Sequence, residues 1–72
     1  MILIGCDFHP SFQQVAKLNT ETGEIEEQRI VHGDQQLEKF YRNLPVPALI
    51  DVESVGNCHW FLDMLDRLGH EA

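Results

Sequence analysis

Asp7 and Glu53 each stand at the end of a short, strongly apolar run, Met1-Ile-Leu-Ile-Gly-Cys-Asp7 and Pro47-Ala-Leu-Ile-Asp-Val-Glu53. Runs of that kind become buried, neighbouring strands, and in open α/β sheets ligand sites are built at the carboxyl ends of the strands. Two carboxylates side by side there suit a hard divalent cation. Cleavage of a phosphodiester needs negative charge stabilised on the attacking and leaving oxygens, which two cations about 3.5 to 4 Å apart provide. Mg²⁺ keeps several waters and needs few protein carboxylates, so Asp7 and Glu53 are candidate catalytic residues and metal ligands.

Other chemistry is less well supported by the spacing. Gly5 before Asp7 invites comparison with a phosphate loop, but such loops need glycine after the aspartate, and here Phe8-His9-Pro10 follows, with proline removing an amide donor. His9, His32, His59 and His70 with Cys6 and Cys58 suggest zinc, yet no Cys-x-x-Cys or His-x-x-x-His spacing occurs, and Cys58 and His59 are adjacent. His9, two residues beyond Asp7, is placed to approach a metal-bound water or a phosphate. Cys6, inside an apolar strand, reads as a small buried hydrophobe.

The elements that must position the acids follow from periodicity. Residues 1–7 form a strand with apolar side chains on both faces, the pattern of a central strand covered on each side. Phe12 to Leu18 is a half-buried strand ended by Asn19-Thr20-Glu21-Thr22-Gly23, and Glu24 to Val31 a polar edge strand. A helix opens at Gly33-Asp34, with Asp34 as N-cap, and carries Leu37, Phe40, Tyr41 and Leu44 on one stripe until Pro45 and Pro47 stop it. Ala48 to Glu53 is the fourth strand. Returning from a helix, it can lie parallel to the first through a right-handed crossover, so that both acids emerge at the same end. After a turn at Ser54 to Asn57, Trp60, Phe61, Met64, Leu65 and Leu68 form a helical core stripe that Gly69 ends. If the Trp60 ring is core, its truncation to alanine costs about 3 to 5 kcal/mol.

The 72 residues allow one small domain, which buries roughly 60% of the surface its unfolded chain exposes. At 43% hydrophobic residues, and with no internal repeat or linker, the composition is globular. The net charge is −7, and Lys17, Arg29, Lys39, Arg42 and Arg67 are scattered, so no basic stripe tracks a phosphate backbone. The two cysteines, with no signal peptide or membrane-length apolar run, make a cytoplasmic protein with free thiols and no membrane contact the default expectation.

The order β-β-β-α-β-α, with acids ending strands 1 and 4, is similar to the front half of an RNase H-like fold. More specific are the words Ile4-Gly-Cys-Asp7-Phe-His-Pro10, Gln13-Gln-Val-Ala, Thr20-Glu-Thr-Gly-Glu24, Phe40-Tyr41, Val52-Glu53-Ser-Val-Gly56-Asn57 and Leu65-Asp-Arg-Leu-Gly-His70. Together, across essentially the whole chain, they resemble the amino-terminal segment of DEDD-type insertion-sequence transposases, whose catalytic domain is similar to that of the RuvC Holliday-junction resolvase. The resemblance implies an α/β, RuvC-like partial domain over residues 1–72, a mixed sheet with strands 1 and 4 parallel, and Asp7 and Glu53 as the first two acids of a Mg²⁺ site for DNA strand cleavage and joining. It also implies DNA, and in that family a guide RNA, as partners. The family's two later aspartates and its serine-bearing domain have no counterpart in these residues, so the expectation is a fragment inactive alone. Asp51 stands where the family has glycine, adding a charge on the strand face of Glu53. The competing expectation is a non-enzymatic interaction module, pairing with a second copy or with a full-length transposase through an open edge of the fourth strand.

Overall fold

The computed structural model describes residues 1–54 and 56–72. The polypeptide forms β1 (Ile2–Phe8), β2 (Phe12–Asn19), β3 (Ile25–Val31), α1 (Gln36–Arg42), β4 (Leu49–Ser54) and α2 (His59–Arg67). The strands make one mixed α/β sheet in the order β3-β2-β1-β4, with β1 antiparallel to β2 and parallel to β4, as the sequence predicts. The α1 crossover is what permits the parallel return.

Alternation along β1 divides its side chains between two surfaces. Ile2, Ile4, Cys6 and Phe8 point into a core shared with Val15, Ile30 and Ile50 and with Leu37, Tyr41, Phe61, Met64 and Leu65 of the helices. Leu3, Gly5 and Asp7 occupy the other face, where Gly5 and Asp7 are exposed. The expectation of a first strand covered on both sides is therefore corrected: β1 is central within the sheet, but both helices contribute to a single layer. On the uncovered face Leu18, Leu3 and Leu49 lie in successive register positions with Ile25, which is 67% exposed. Strand β3 is the polar edge strand anticipated, with only Ile30 buried.

Local signals explain the boundaries. In the β2–β3 connection Asn19 Oδ1 accepts from the Glu21 amide, Thr22 Oγ1 from the Glu24 amide, and Gly23 takes a φ of 78°, which glycine adopts at no steric cost. Asp34 Oδ1 accepts from the Gln36 amide at 2.9 Å, although the helix begins one residue later than expected, after Gln35. Leu44 lies beyond the end of α1 yet remains buried. Helix α2 closes with a Schellman motif: Gly69, at φ 91°, donates to the Asp66 carbonyl and His70 to that of Leu65.

Two buried polar devices tie the layers together. His70 Nδ1 accepts from the Ala48 amide at 3.0 Å, and its Nε2–H donates to the Tyr41 carbonyl at 2.6 Å, a tautomer assigned from these partners. One ring thus joins the end of α2 to α1 and β4. The second device is a chain in which the Tyr41 hydroxyl donates to Gln13 Oε1 at 2.6 Å and Gln13 Nε2 donates to His32 Nε2 at 3.2 Å. His32 Nδ1–H then donates to the Pro10 carbonyl, anchoring the β1–β2 turn. Removing His70 as alanine leaves the buried Ala48 amide without its partner and the Tyr41 carbonyl with only the longer bond from the Leu44 amide. A loss of about 1 to 3 kcal/mol is expected in urea denaturation, and a neutral outcome would show that the ring does not staple these elements.

Burial pushes the Cys6 thiol up to about 11 and holds the Tyr41 phenol well above its ordinary range. Both groups stay neutral in the fold, while in the unfolded chain the thiol ionises first, near about 8.5. The unfolded state therefore binds fewer protons at alkaline pH, and stability falls as pH rises. Folding free energy should be flat with respect to these groups below about pH 8 and decline from about pH 9 to 11, with Cys6 accounting for about 2 to 3 kcal/mol. The Cys6→Ala variant should be less stable at pH 7 but show a shallower alkaline slope, measured by denaturant titration at each pH.

Candidate functional site

The site is a consequence of strand register. Along the parallel β1/β4 pair, Gly5 faces Asp51, Cys6 faces Val52 and Asp7 faces Glu53. Adjacent strands lie roughly 4.8 Å apart, so directly paired residues on one face place their side chains within reach of a common ion. Both acids are exposed and project from the uncovered face near the carboxyl ends of the strands. The two candidate residues are thus brought together, and Asp51 lies on the same face, as its i, i+2 spacing requires.

The acids border an open groove of about 290 Å³. Gly5 and Ala16, opposite one another in register, are the small residues of its floor, with Asp51 and Glu27 at the ends of the same cross-strand row. Four carboxylates, from Asp7, Glu27, Asp51 and Glu53, line the groove, and among the described residues no lysine or arginine does. Asp51 is therefore a second acid on β4 at this groove. Glu27 belongs to a strand that sequence reasoning treated only as a polar edge; its signal was alternation along β3, readable only once the β2–β3 register is known.

His9 stands beside Asp7. Its Nε2 lies 3.3 Å from Asp7 Oδ2, and its ring stacks on Phe12 with centroids 4.5 Å apart. The imidazole is held beside the carboxylate by a neighbouring aromatic, while Arg29 covers Phe12 at 3.9 Å. The chemistry of the donors fits a hard cation: oxygens only at the register pair, water-accessible, with a histidine bonded to one acid rather than presented with it. Among the described residues no three His, Cys, Asp or Glu side chains converge as a ready metal centre. Asp7 and Glu53 thus offer two carboxylates at one strand end, fewer than the six oxygens an octahedral cation takes.

Trp60 was expected in the core. Instead it is 48% exposed, because it stands on the first turn of α2 at the edge of the stripe whose centre is Phe61 and Leu65, both fully buried. The loss of 3 to 5 kcal/mol foreseen for its truncation does not apply to a half-exposed ring. Cys6 is buried as expected, and Cys58 is a half-buried free thiol. No helix among the described residues is long and apolar enough to cross a membrane. No family model, curated protein or solved structure matches this chain.

An added Cβ at Gly5 would meet nothing within 4 Å, so packing does not demand glycine there. Glycine in a strand interior is unfavourable on its own. Gly5→Val should leave thermal stability unchanged or raise it by up to about 1 kcal/mol while filling the floor between the acids. A loss of stability instead would mean that the hollow is structural rather than kept open for a ligand.

Proposed function

We propose that this chain is an RNase H-like, RuvC-like partial domain of the DEDD transposase type, supplying Asp7 and Glu53 to a Mg²⁺ site for DNA strand cleavage and joining. The observation that carries the reading is the direct register of Asp7 with Glu53 across parallel β1 and β4. Electrostatics adds to it. A groove bordered by four carboxylates repels a phosphodiester, and a divalent cation held by Asp7 and Glu53 would offset that repulsion. When bound, Mg²⁺ supplies charge stabilisation of the scissile phosphate. The chain's own residues orient it: Asp7 and Glu53 as oxygen ligands, His9 as the group that restrains Asp7.

A second reading, a non-enzymatic module joined to another copy or to a full-length transposase through the β4 edge, rests on a separate observation. Strand β4 is the last of the sheet, and among the described residues only its start is engaged by the chain itself: Glu71 bridges to Leu49 in parallel sense, with the Ile50 amide donating to the Glu71 carbonyl at 2.8 Å. The remaining edge toward Ser54 is open to strand addition.

Paramagnetic Mn²⁺ separates the readings. Titrated at millimolar concentration into the isotopically labelled chain, it should broaden the amide signals of residues 5–9 and 51–54, and Asp7→Asn or Glu53→Gln should abolish the effect. Broadening centred elsewhere, or unchanged in both variants, would remove the metal assignment; concentration-dependent shifts confined to β4 without metal would favour the module.

A further inference from the structure

We propose that the open face of the sheet is a docking surface for a basic amphipathic helix of another protein, laid across the strands between the leucine row and the paired acids. Neither the metal nor the DNA reading is needed for it, and Glu27 and Asp51, to which those readings assign nothing, acquire a role. Ile25, Leu18, Leu3 and Leu49 pair in succession across β3, β2, β1 and β4. They stand outside the core shared by the sheet and the helices. Both α1 and α2 are spent on the opposite face, so no helix of the described chain covers this row. One apolar residue from every strand, aligned at one level, makes a continuous band, unlike the single apolar side chains scattered over an ordinary surface.

Shape favours a helix. One level further along the strands, Glu27, Ala16, Gly5 and Asp51 form the next row, with two small residues at its centre and a carboxylate at either end. The floor is lowest between Gly5 and Ala16, and the hollow runs across the strands, flanked on one side by the leucines and on the other by Gln14 and Asp7. Three strand spacings separate the end acids, about 14 Å, which is the rise of roughly nine or ten helical residues. A helix lying there turns one side to the leucines and the other toward Asp7 and Glu53, and passes Glu27 and Asp51 near its ends. An extended peptide would instead add to the sheet at an edge.

Charge selects the partner's chemistry. Four carboxylates line the hollow in a chain of net charge −7, and among the described residues Glu27 and Asp51 form no ion pair. Arg29, the cation on the same face, is engaged over the Phe12 ring. A second copy stacked face to face sets carboxylates against carboxylates, and an anionic lipid surface is repelled in the same way. Lysine or arginine beside a leucine stripe neutralises the acids and covers the apolar row together, with complementary charge fixing orientation and apolar contact supplying affinity.

A peptide of about 18 residues, built from leucine and lysine with the leucines on one helical face, is the probe. Titrated in EDTA into the isotopically labelled chain, it should saturably shift the amides of residues 3–5, 16–18, 25–27 and 49–51. A scrambled peptide of the same composition should bind about tenfold more weakly, and so should the probe to Ile25→Ser, whose side chain is already exposed. Glu27→Gln and Asp51→Asn should each lose about two- to fivefold, whereas Glu26→Gln, on the same strand but the opposite face, should lose nothing. Each variant's fold is checked by circular dichroism. No shift at millimolar peptide, equal binding of the scrambled peptide, the same loss from Glu26→Gln as from Glu27→Gln, or shifts centred on α1 and α2 would overturn the proposal. Open-face shifts that follow protein concentration without peptide would assign the face to a second copy and overturn it as well. Because EDTA removes divalent ions, peptide docking and Mn²⁺ broadening at Asp7 and Glu53 succeed or fail separately.

Discussion

The parallel pairing of β1 with β4 is the constraint on which everything else in this molecule depends. It determines that Asp7 faces Glu53 and that Leu3 faces Leu49, and it thereby assembles the acidic groove and the leucine row on one face. A slip of one residue in this register would exchange the faces of all six β4 side chains, burying Asp51 and Glu53 and exposing Ile50 and Val52. The apolar positions of β4 therefore protect the arrangement of its charged ones.

What holds the register is concentrated in few contacts. Ile50 packs beside Ile4, His70 receives the Ala48 amide at the start of β4, and the Ile50 and Glu71 amides bond across the edge. These lie at the amino end of β4, so the acid-bearing end projects from an anchored base. The carboxylates themselves contribute no stabilisation to this account. Like charges in one groove oppose the fold when no cation is bound.

Much of this was legible in the sequence, for identifiable reasons. The apolar run of residues 1–7, the glycine at 69 and the turn residues from Asn19 to Gly23 each act locally, and each forms the element its pattern implies. The parallel return of β4 followed from a helix between two apolar runs. Two misjudgements share a cause. Leu3 beside Ile2 and Ile4 was read as a strand buried on both sides, and Trp60 beside Phe61 as core, because an apolar side chain at the margin of a stripe looks the same in sequence whether or not another element covers it. The membership of Glu27 in the groove required a cross-strand register that no local signal encodes. The proposed RNase H-like assignment and Mg²⁺ site rest on resemblance and on donor chemistry.

Whether Asp7 and Glu53 grip one ion is decided by soaking crystals of the protein in Mn²⁺ and recording anomalous diffraction. A single strong peak is expected on the open face of the sheet, within bonding distance of oxygens of both side chains. Density bound to one acid alone, or absent from the groove while the strand register is unchanged, would contradict it.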